Sequence, residues 1–209
     1  MINYTRIFAW GFVYACYVLM AYNIAVDMMQ EDFIFFLYSN LFNLQKYFFD
    51  VSAFFMVYLF ILKRPFTSPM FVSRCKDSYL NHVILYGVKI CGIYIAYTAI
   101  LFGGVSIIFG LNLIINMDLV RNISNLFSFL FTAYLIYLYL LIKTHKQMFS
   151  LLAGFSVNYI FLVIYYVLGA VDQNLAIELG YLLMNLYPIL AIVMIVLNIT
   201  QYNRKDFLA

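Results

Sequence analysis

The chain has 209 residues, of which 67% are hydrophobic and only 10% are charged, and its formal net charge is +3 at pH 7. Because soluble domains carry about a quarter charged residues, no water-soluble fold can cover this much apolar surface. The length accommodates about six membrane crossings with short loops and excludes a further soluble domain, so residues 1–209 are predicted to form a single transmembrane domain.

Six apolar stretches predict an all-α, polytopic membrane protein. A helix needs about 20 apolar residues to cross the hydrocarbon core of a bilayer, which is roughly 30 Å thick. No small-residue cleavage site follows the first apolar run, so that run is predicted to be an uncleaved helix rather than a secretory signal. In chain order, the predicted spans lie at about 7–26, 41–62, 83–104, 123–142, 148–169 and 180–199.

The connections between these spans are predicted to differ greatly in length. The fourth and fifth spans are joined by a tight hairpin, the second and third by a loop at 63–82, and the fifth and sixth by a short outer connection of about ten residues. The apolar stretch 105–117 follows Gly103-Gly104 and is too short to span. We expect it to form a short helix or a re-entrant segment at the outer surface.

Lysine and arginine are distributed very unevenly between the two sides of the predicted bundle. Nine of the twelve fall on one side and only Lys46 and Arg121 on the other, while Lys89 lies within the third span. Because Lys and Arg resist translocation, this asymmetry predicts a multi-pass protein of the cell (plasma) membrane with cytoplasmic N- and C-termini. The nine are Arg6, Lys63, Arg64, Arg74, Lys76, Lys143, Lys146, Arg204 and Lys205.

Residue patterns that carry catalysis or bind metals are absent from the sequence. The two histidines, His82 and His145, are far apart and form no HExxH pair, and there is no GxSxG motif. The three cysteines show no CxxC spacing and give no indication of a zinc site or a disulfide framework. We therefore expect neither an enzyme nor a bound metal or cofactor, and we expect the 20 tyrosines and 22 phenylalanines to face lipid or the membrane interfaces.

Three ionisable residues, Lys46, Asp50 and Lys89, fall within the predicted spans. Such residues are costly in a membrane and often mark a transport pathway. Lys46 and Asp50 are four residues apart, so they lie on one helix face and can form an ion pair. Two interpretations remain open: a structural pair near the outer interface, with the lysine reaching out to water, or a pair that lines a substrate pathway.

The 63–82 loop holds the most informative segment of the chain. Pro65 and Pro69 end one helix and allow another to begin, so residues 70–79 are predicted to form a short amphipathic helix. Such a helix can lie on the bilayer surface or dock in a groove of a partner protein. Its apolar stripe is Phe71, Cys75 and Tyr79, and its polar residues are Ser73, Arg74, Lys76 and Asp77.

With this loop, the chain resembles the permease subunits of ATP-binding-cassette (ABC) transporters of the type 2 class, especially the small Gram-positive ones associated with export of, or immunity to, peptides. The resemblance rests on six spans with both termini inside. It also rests on the basic segment SRCKDSYLNHVILYGVKICGIYIAYTAILF, which starts at Ser73 and runs directly into a long third helix. The tail QYNRKDFLA, with Arg204, Lys205 and Asp206, is similar to the tail common in that family.

The resemblance implies that residues 68–80 form a short cytoplasmic coupling helix, which fits a cleft in a cytoplasmic ABC ATPase. The chain has no GxxxxGK[ST] loop, so ATP and Mg²⁺ would bind to that partner subunit and not to the permease. Two permease copies, or this chain and a sister permease, would enclose an export path in the lipid bilayer, and no nucleic acid would be involved. The residues implied to couple to the ATPase are Phe71, Arg74, Lys76, Asp77 and Tyr79.

The predicted function is therefore export of an amphipathic or hydrophobic substrate, such as an antimicrobial or toxic peptide. The chain departs from the family pattern in having only six residues before the first span, too few for the usual amphipathic cytoplasmic helix. An alternative is a non-transporting membrane protein that confers peptide immunity or regulates a partner complex. That alternative needs the same spans but no contact with an ATPase.

Overall fold

The computed structural model describes residues 4–27, 50–62, 76–108, 117–144, 146–171 and 173–204. These residues form six α-helices and contain no strand, so the predicted all-α fold is confirmed for this part of the chain. The helices are α1 (Tyr4–Asp27), α2 (Ser52–Ile61), α3 (Lys76–Ile108), α4 (Met117–Thr144), α5 (Gln147–Val171) and α6 (Gln173–Arg204).

Four of the described helices contain a segment that is long and apolar enough to cross a membrane. These segments are Tyr4–Tyr22, Leu80–Ile108, Leu119–Thr144 and Asn185–Tyr202, and they indicate a membrane protein. Of the predicted second span, residues 50–62 are described and include the short apolar helix α2, while 41–49 lie outside the described residues. Each of the other five predicted spans lies inside one described helix.

Large apolar side chains cover the outside of the described bundle. Soluble monomers rarely expose contiguous apolar patches of more than a few hundred Å², whereas a surface of this kind suits contact with lipid chains. More than half of the residue surface is exposed at Phe8 and Phe12 of α1, Leu85 and Ile100 of α3, Val163 and Val167 of α5, and Ile192 and Val196 of α6.

The third helix does not end where the sequence indicated. α3 runs through Gly103 and Gly104 to Ile108, so the first four residues of the stretch 105–117 extend this helix and do not form a separate segment. Glycine in a helix costs about 1 kcal/mol relative to alanine. In lipid, however, every backbone group must find a partner, and continued helix provides one. Residues 109–116 lie outside the described part of the chain.

The link between α5 and α6 is also shorter than the ten residues expected. α5 ends at Val171 and α6 begins at Gln173, so only residue 172 separates the two helices. The polar residues near the start of α6 suggested a loop, but no proline or glycine occurs before Gly180 to interrupt a helix. At 32 residues, about 48 Å, α6 is longer than the roughly 30 Å hydrocarbon core, so its polar first turns can lie beyond the core.

The helix α4 is the centre of the described bundle. It packs against α3, α5 and α6, and its contact with α6 is the most extensive of any described helix pair. In the most apolar part of its membrane segment, 67% of the residues are buried, whereas the share is 22% in the corresponding part of α1. α1 lies at the periphery, where it contacts α2 and α3.

Contacts between side chains and backbone fix the relative directions of several helices. Thr132 of α4 contacts Tyr187 of α6, and further along both helices Leu135 contacts Asn198, so α4 and α6 run parallel. Thr144 contacts Ser150 across the hairpin, and further from the turn Gly154 lies against the Tyr137 backbone, so α4 and α5 run antiparallel. Lys143 and Lys146 therefore lie at the end of the bundle where α6 also ends.

The contacts between α1 and α2 give the same kind of information. Trp10 contacts Tyr58, whereas Tyr17, further along α1, contacts Asp50, which lies earlier in the chain than Tyr58. The two helices are therefore antiparallel. Arg6, near the start of α1, consequently lies at the end where α2 finishes.

Polar side chains join α4 to α6 inside this apolar bundle. The Thr132 hydroxyl donates to the Ser128 carbonyl at 2.7 Å and lies 3.2 Å from the Tyr187 carbonyl, next to Pro188, through which α6 continues. The fully buried Asn198 amide donates to the carbonyls of Leu135 at 3.0 Å and Met194 at 2.8 Å. Bonds of this kind between helices stabilise membrane bundles by about 1 kcal/mol each.

Candidate functional site

Asp50 lies immediately before α2, at the point where this segment meets α1. The Tyr17 hydroxyl donates to Asp50 Oδ2 at 2.7 Å, the usual distance for a hydrogen bond between two oxygen atoms. Tyr17 lies 13 residues after Tyr4, or roughly 20 Å along α1. Asp50 is therefore well inside the thickness that α1 spans. Its predicted partner Lys46 lies outside the described residues.

A chain of hydroxyl groups links α1, α3 and the start of α2. The Thr98 hydroxyl donates to the Tyr94 carbonyl at 2.9 Å, which assigns its single hydrogen, so the Tyr14 hydroxyl donates to Thr98 Oγ1 at 3.1 Å. The Tyr94 hydroxyl in turn donates to the Val51 carbonyl at 3.1 Å. All of these polar groups are buried, and each has a partner in the neighbouring backbone or side chains.

Two further aromatic residues donate to backbone carbonyls of neighbouring helices. Trp10 Nε1 donates to the Phe54 carbonyl at 3.1 Å, and the Tyr97 hydroxyl donates to the Gly11 carbonyl at 2.8 Å. Because Gly11 has no Cβ, Tyr97 can approach closely: a Cβ built there would lie 2.9 Å from the hydroxyl oxygen. These bonds hold α1 against α2 on one side and against α3 on the other.

The rings themselves pack into a continuous aromatic cluster. The Trp10 ring centre lies 4.9 Å from that of Tyr58, 5.9 Å from Tyr94 and 5.7 Å from Tyr97. Ring pairs at these separations contribute about 0.5–1.5 kcal/mol each beyond the area they bury. The aromatic cluster comprises Trp10, Tyr14, Tyr17, Phe54, Phe55, Tyr58, Tyr94 and Tyr97.

Two cavities flank Trp10 on opposite sides of α1. One, which we call the aromatic cavity, has a volume of about 490 Å³ and lies between α1 and α3, with Tyr58 of α2 in its wall. The other, which we call the aliphatic cavity, has a volume of about 440 Å³ and lies between α1 and α2. Both volumes fall within the range of about 300–1,000 Å³ that is usual for small-molecule sites.

The predicted coupling residues are only partly described. Phe71 and Arg74 lie outside the described residues, whereas Lys76, Asp77 and Tyr79 form the first turn of α3. That turn continues without a break into the membrane segment, so it is not a separate short helix. Lys76 lies 18 residues, or roughly 27 Å along α3, from Tyr94 in the aromatic cluster.

The sequence interpretation missed the aromatic cluster. The tyrosines and phenylalanines were expected to face lipid or the membrane interfaces, yet nine of them are the largest fully buried side chains in the described bundle. The spacing along α1 carried a signal, because its buried residues recur every three or four positions, as expected for one helix face. They are Trp10, Tyr14, Val18, Ala21 and Tyr22.

The described part of the chain contains no group of three or more His, Cys, Asp or Glu side chains that could hold a metal ion. The thiols of Cys16 and Cys91 are not joined in a disulfide, and Cys91 is buried. The arrangement of aromatic rings, one carboxylate and two cavities is suited to holding a ligand. Comparison of the chain with models of protein families, with curated proteins and with solved structures finds no match.

Proposed function

We propose that this chain is the membrane-spanning permease subunit of a type 2 ABC exporter, which moves an amphipathic or hydrophobic substrate outward. In this proposal it has six spans, residues 41–49 complete the second, and both termini lie in the cytoplasm of a cell whose plasma membrane it crosses. The distribution of Lys and Arg supports that orientation. A separate subunit binds ATP and Mg²⁺, and two permeases pair as a homodimer or heterodimer.

The observation that carries the proposal is the uninterrupted helix α3. Its 33 residues extend about 50 Å, some 20 Å more than the hydrocarbon core, so the helix continues beyond the membrane. One end begins directly after the basic segment that contains Arg74, and the middle supplies Ile93, Tyr94 and Tyr97 to the aromatic cavity. A rigid helix of this kind can carry a displacement from a cytoplasmic ATPase to a substrate cavity in the membrane.

The proposed coupling works through contact rather than through chemistry in this chain. Residues 68–80 fit a cleft of the ATPase, where Arg74, Lys76 and Asp77 make desolvated contacts. When the cleft moves on nucleotide binding, α3 moves with it and changes the shape of the wall around Tyr94. The Gly11–Tyr97 hydrogen bond ties α1 to the same wall, so α1 would follow.

The test is to purify the permease together with an ABC ATPase encoded beside it and to compare the wild type with Arg74→Glu/Lys76→Glu. We expect the double reversal to abolish both retention of the ATPase and its permease-dependent ATP turnover. The matched control is Lys143→Glu/Lys146→Glu, which reverses two exposed charges at the α4–α5 hairpin and should retain the ATPase.

Failure of the wild-type chain to retain any ATPase would end the permease proposal. The non-transporting alternative, peptide immunity or regulation of a partner complex, would then replace it. Equal retention by both double variants and the wild type would show that residues 68–80 rest on lipid and do not couple to an ATPase. In that case the charge reversal changes only the attraction to anionic headgroups, about 1 kcal/mol per charge.

A further inference from the structure

The wall of the aromatic cavity has an unusual composition. Six of its ten described lining residues are aromatic, and none of the ten is charged. The floor is formed by Trp10, Tyr58 and Tyr94, which are buried, while Phe8 and Phe12 are 78% and 64% exposed at the mouth. The cavity is therefore open to the outside of the bundle and ends on ring surfaces.

The polar groups of three of these rings already form hydrogen bonds. Trp10 Nε1 and the hydroxyls of Tyr94 and Tyr97 each donate to a backbone carbonyl. Because these donors are already engaged, they are not free to bond to a ligand. A ligand in the cavity would therefore contact mainly the carbon faces of the rings. The faces of aromatic rings carry partial negative charge, which attracts cations, most strongly where water is excluded.

The aliphatic cavity offers an internal comparison. It is of similar volume and also contains Trp10, but only two of its eight described lining residues are aromatic, and Arg6 is among them. An arginine repels cations and, with apolar walls, suits the anionic headgroup and acyl chain of a lipid. An acyl chain gains nothing specific from ring faces, so the aromatic cavity is built for a different ligand.

We propose that the aromatic cavity binds apolar organic cations of the quaternary ammonium class. The inference rests on the proposed export function in treating such a cation as the transported substrate. Its charge would sit against Trp10, Tyr94 and Tyr97, and its alkyl groups would contact Ile93 and the two exposed phenylalanines. The Asp50 carboxylate, linked to the same aromatic cluster through Tyr17, adds negative potential at membrane depth.

Trp10 is the single tryptophan of the chain, so its fluorescence reports directly on both cavities. The experiment titrates tetrabutylammonium into the full-length permease in phosphatidylcholine nanodiscs, without an ATPase, and follows Trp10 emission. Tetrabutylsilane, a neutral compound of the same shape, is the matched ligand control. We expect saturable binding of the cation that is at least about tenfold tighter than binding of the silane, the order expected for cation–π contacts away from water.

Two alanines on α1 provide a matched pair of variants. Ala15 lines the aromatic cavity and Ala9 the aliphatic one, so Ala15→Leu fills the first and Ala9→Leu the second. We expect Ala15→Leu to weaken cation binding by at least about tenfold and Ala9→Leu by less than about threefold, since only the first removes access to the rings. Tyr97→Phe, which keeps the ring, should bind the cation, and Tyr97→Leu should not.

The proposal is overturned if the silane binds as tightly as the cation, because the cavity would then be an apolar site only. Loss of binding in Ala9→Leu but not in Ala15→Leu would overturn it as well. If Ala15→Leu does not elute as a folded monodisperse protein, the test relies on the comparison of Tyr97→Phe with Tyr97→Leu. Equal cation binding by these two variants would show that the aromatic cavity is not the binding site. Because no ATPase is present, failure here is distinct from failure of the ATPase retention test.

Discussion

The ring of Tyr134 in α4 lies directly against the backbone of Gly87 in α3. A Cβ atom built on Gly87 would overlap with Tyr134 Cε1, and the Tyr134 hydroxyl donates to the Val83 carbonyl at 2.9 Å, one turn earlier in α3. The tyrosine is 1% exposed, so its ring has no room to move aside. A small residue at the contact between two membrane helices lets them approach closely.

We expect Gly87→Ala to lower the free energy of unfolding by about 1–3 kcal/mol, because the added methyl group overpacks the α3–α4 contact. Gly92→Ala is the matched control: it lies on the same helix and meets nothing within 4 Å. Alanine is the better helix former, so this control should keep or raise the stability. The measurement is equilibrium unfolding of both variants in mixed micelles, and equal stability of the two would contradict the close contact.

A second prediction concerns the hydrogen bond between Tyr17 and Asp50. Tyr17→Phe should destabilise the protein by about 1.5–3 kcal/mol, as expected for a hydrogen bond to a charged group. Tyr4→Phe on the same helix, at a residue 76% exposed, should have almost no effect. The two variants are compared by thermal unfolding monitored by size-exclusion chromatography. Equal melting temperatures would show that the hydrogen bond does not stabilise the protein.

Asp50 itself should matter more than an acidic residue predicted to lie in an outer loop. Asp50→Asn is expected to impair transport or folding more than Asp172→Asn, since the first changes an ionisable group at membrane depth. Both variants keep the shape of the side chain and remove only its charge. Equal and negligible effects on expression, stability and substrate efflux would assign Asp50 no more than an interfacial position.

Asn198 provides a fourth test, because its amide hydrogens are directed at two carbonyl groups. Asn198→Asp replaces that donor by an oxygen and places a buried charge against the carbonyls of Leu135 and Met194. The expected loss is at least about 3 kcal/mol of unfolding free energy, the order for a buried charge without a partner. Asn174→Asp, at an exposed residue in the first turn of α6, should be neutral or slightly stabilising. Similar unfolding curves for the two aspartates would show that Asn198 does not make these bonds.

A fifth prediction addresses the orientation of the chain. Single cysteines at residues 3 and 206, in a background where Cys16, Cys75 and Cys91 are replaced by alanine, should react with a membrane-impermeant thiol reagent only after the membrane is opened. The nine-to-two distribution of Lys and Arg is the reason. Labelling of either position in intact cells would reverse or abolish the proposed topology.

The helices were predictable because a membrane imposes a simple rule. About 20 consecutive apolar residues are needed for each crossing, and five of the six predicted spans fall inside described helices. Helix ends were harder to place, because Gly103 and Gly104 usually signal an interruption, whereas a helix in lipid cannot leave its backbone groups without partners. Gln173 and Asn174 gave a similar false signal of a loop.

The candidate site was predictable only in part. Asp50 was identified from its charge in an apolar stretch, but its contact with Tyr17 depends on how α1 and α2 pack, which a single sequence does not reveal. The same is true of the aromatic cluster, since Tyr94 and Tyr97 are more than 80 residues away from Trp10 in the chain. Buried and lipid-facing aromatic residues have the same hydrophobicity, so composition could not distinguish them.

The central position of α4 has a consequence for how the protein is made. The helix with which it makes its most extensive contact, α6, is synthesised after it. Until α6 has been inserted, the face of α4 that packs against α6 would therefore be in contact with lipid. Before α6 is present, the Thr132 hydroxyl can donate its hydrogen bond to the Ser128 carbonyl of its own helix. It can approach the Tyr187 carbonyl once α6 has packed against α4. A ribosome that stalls before α6 would leave an inserted but incomplete chain. Membrane proteases could recognise such a chain by the exposed face of α4 that α6 would otherwise cover.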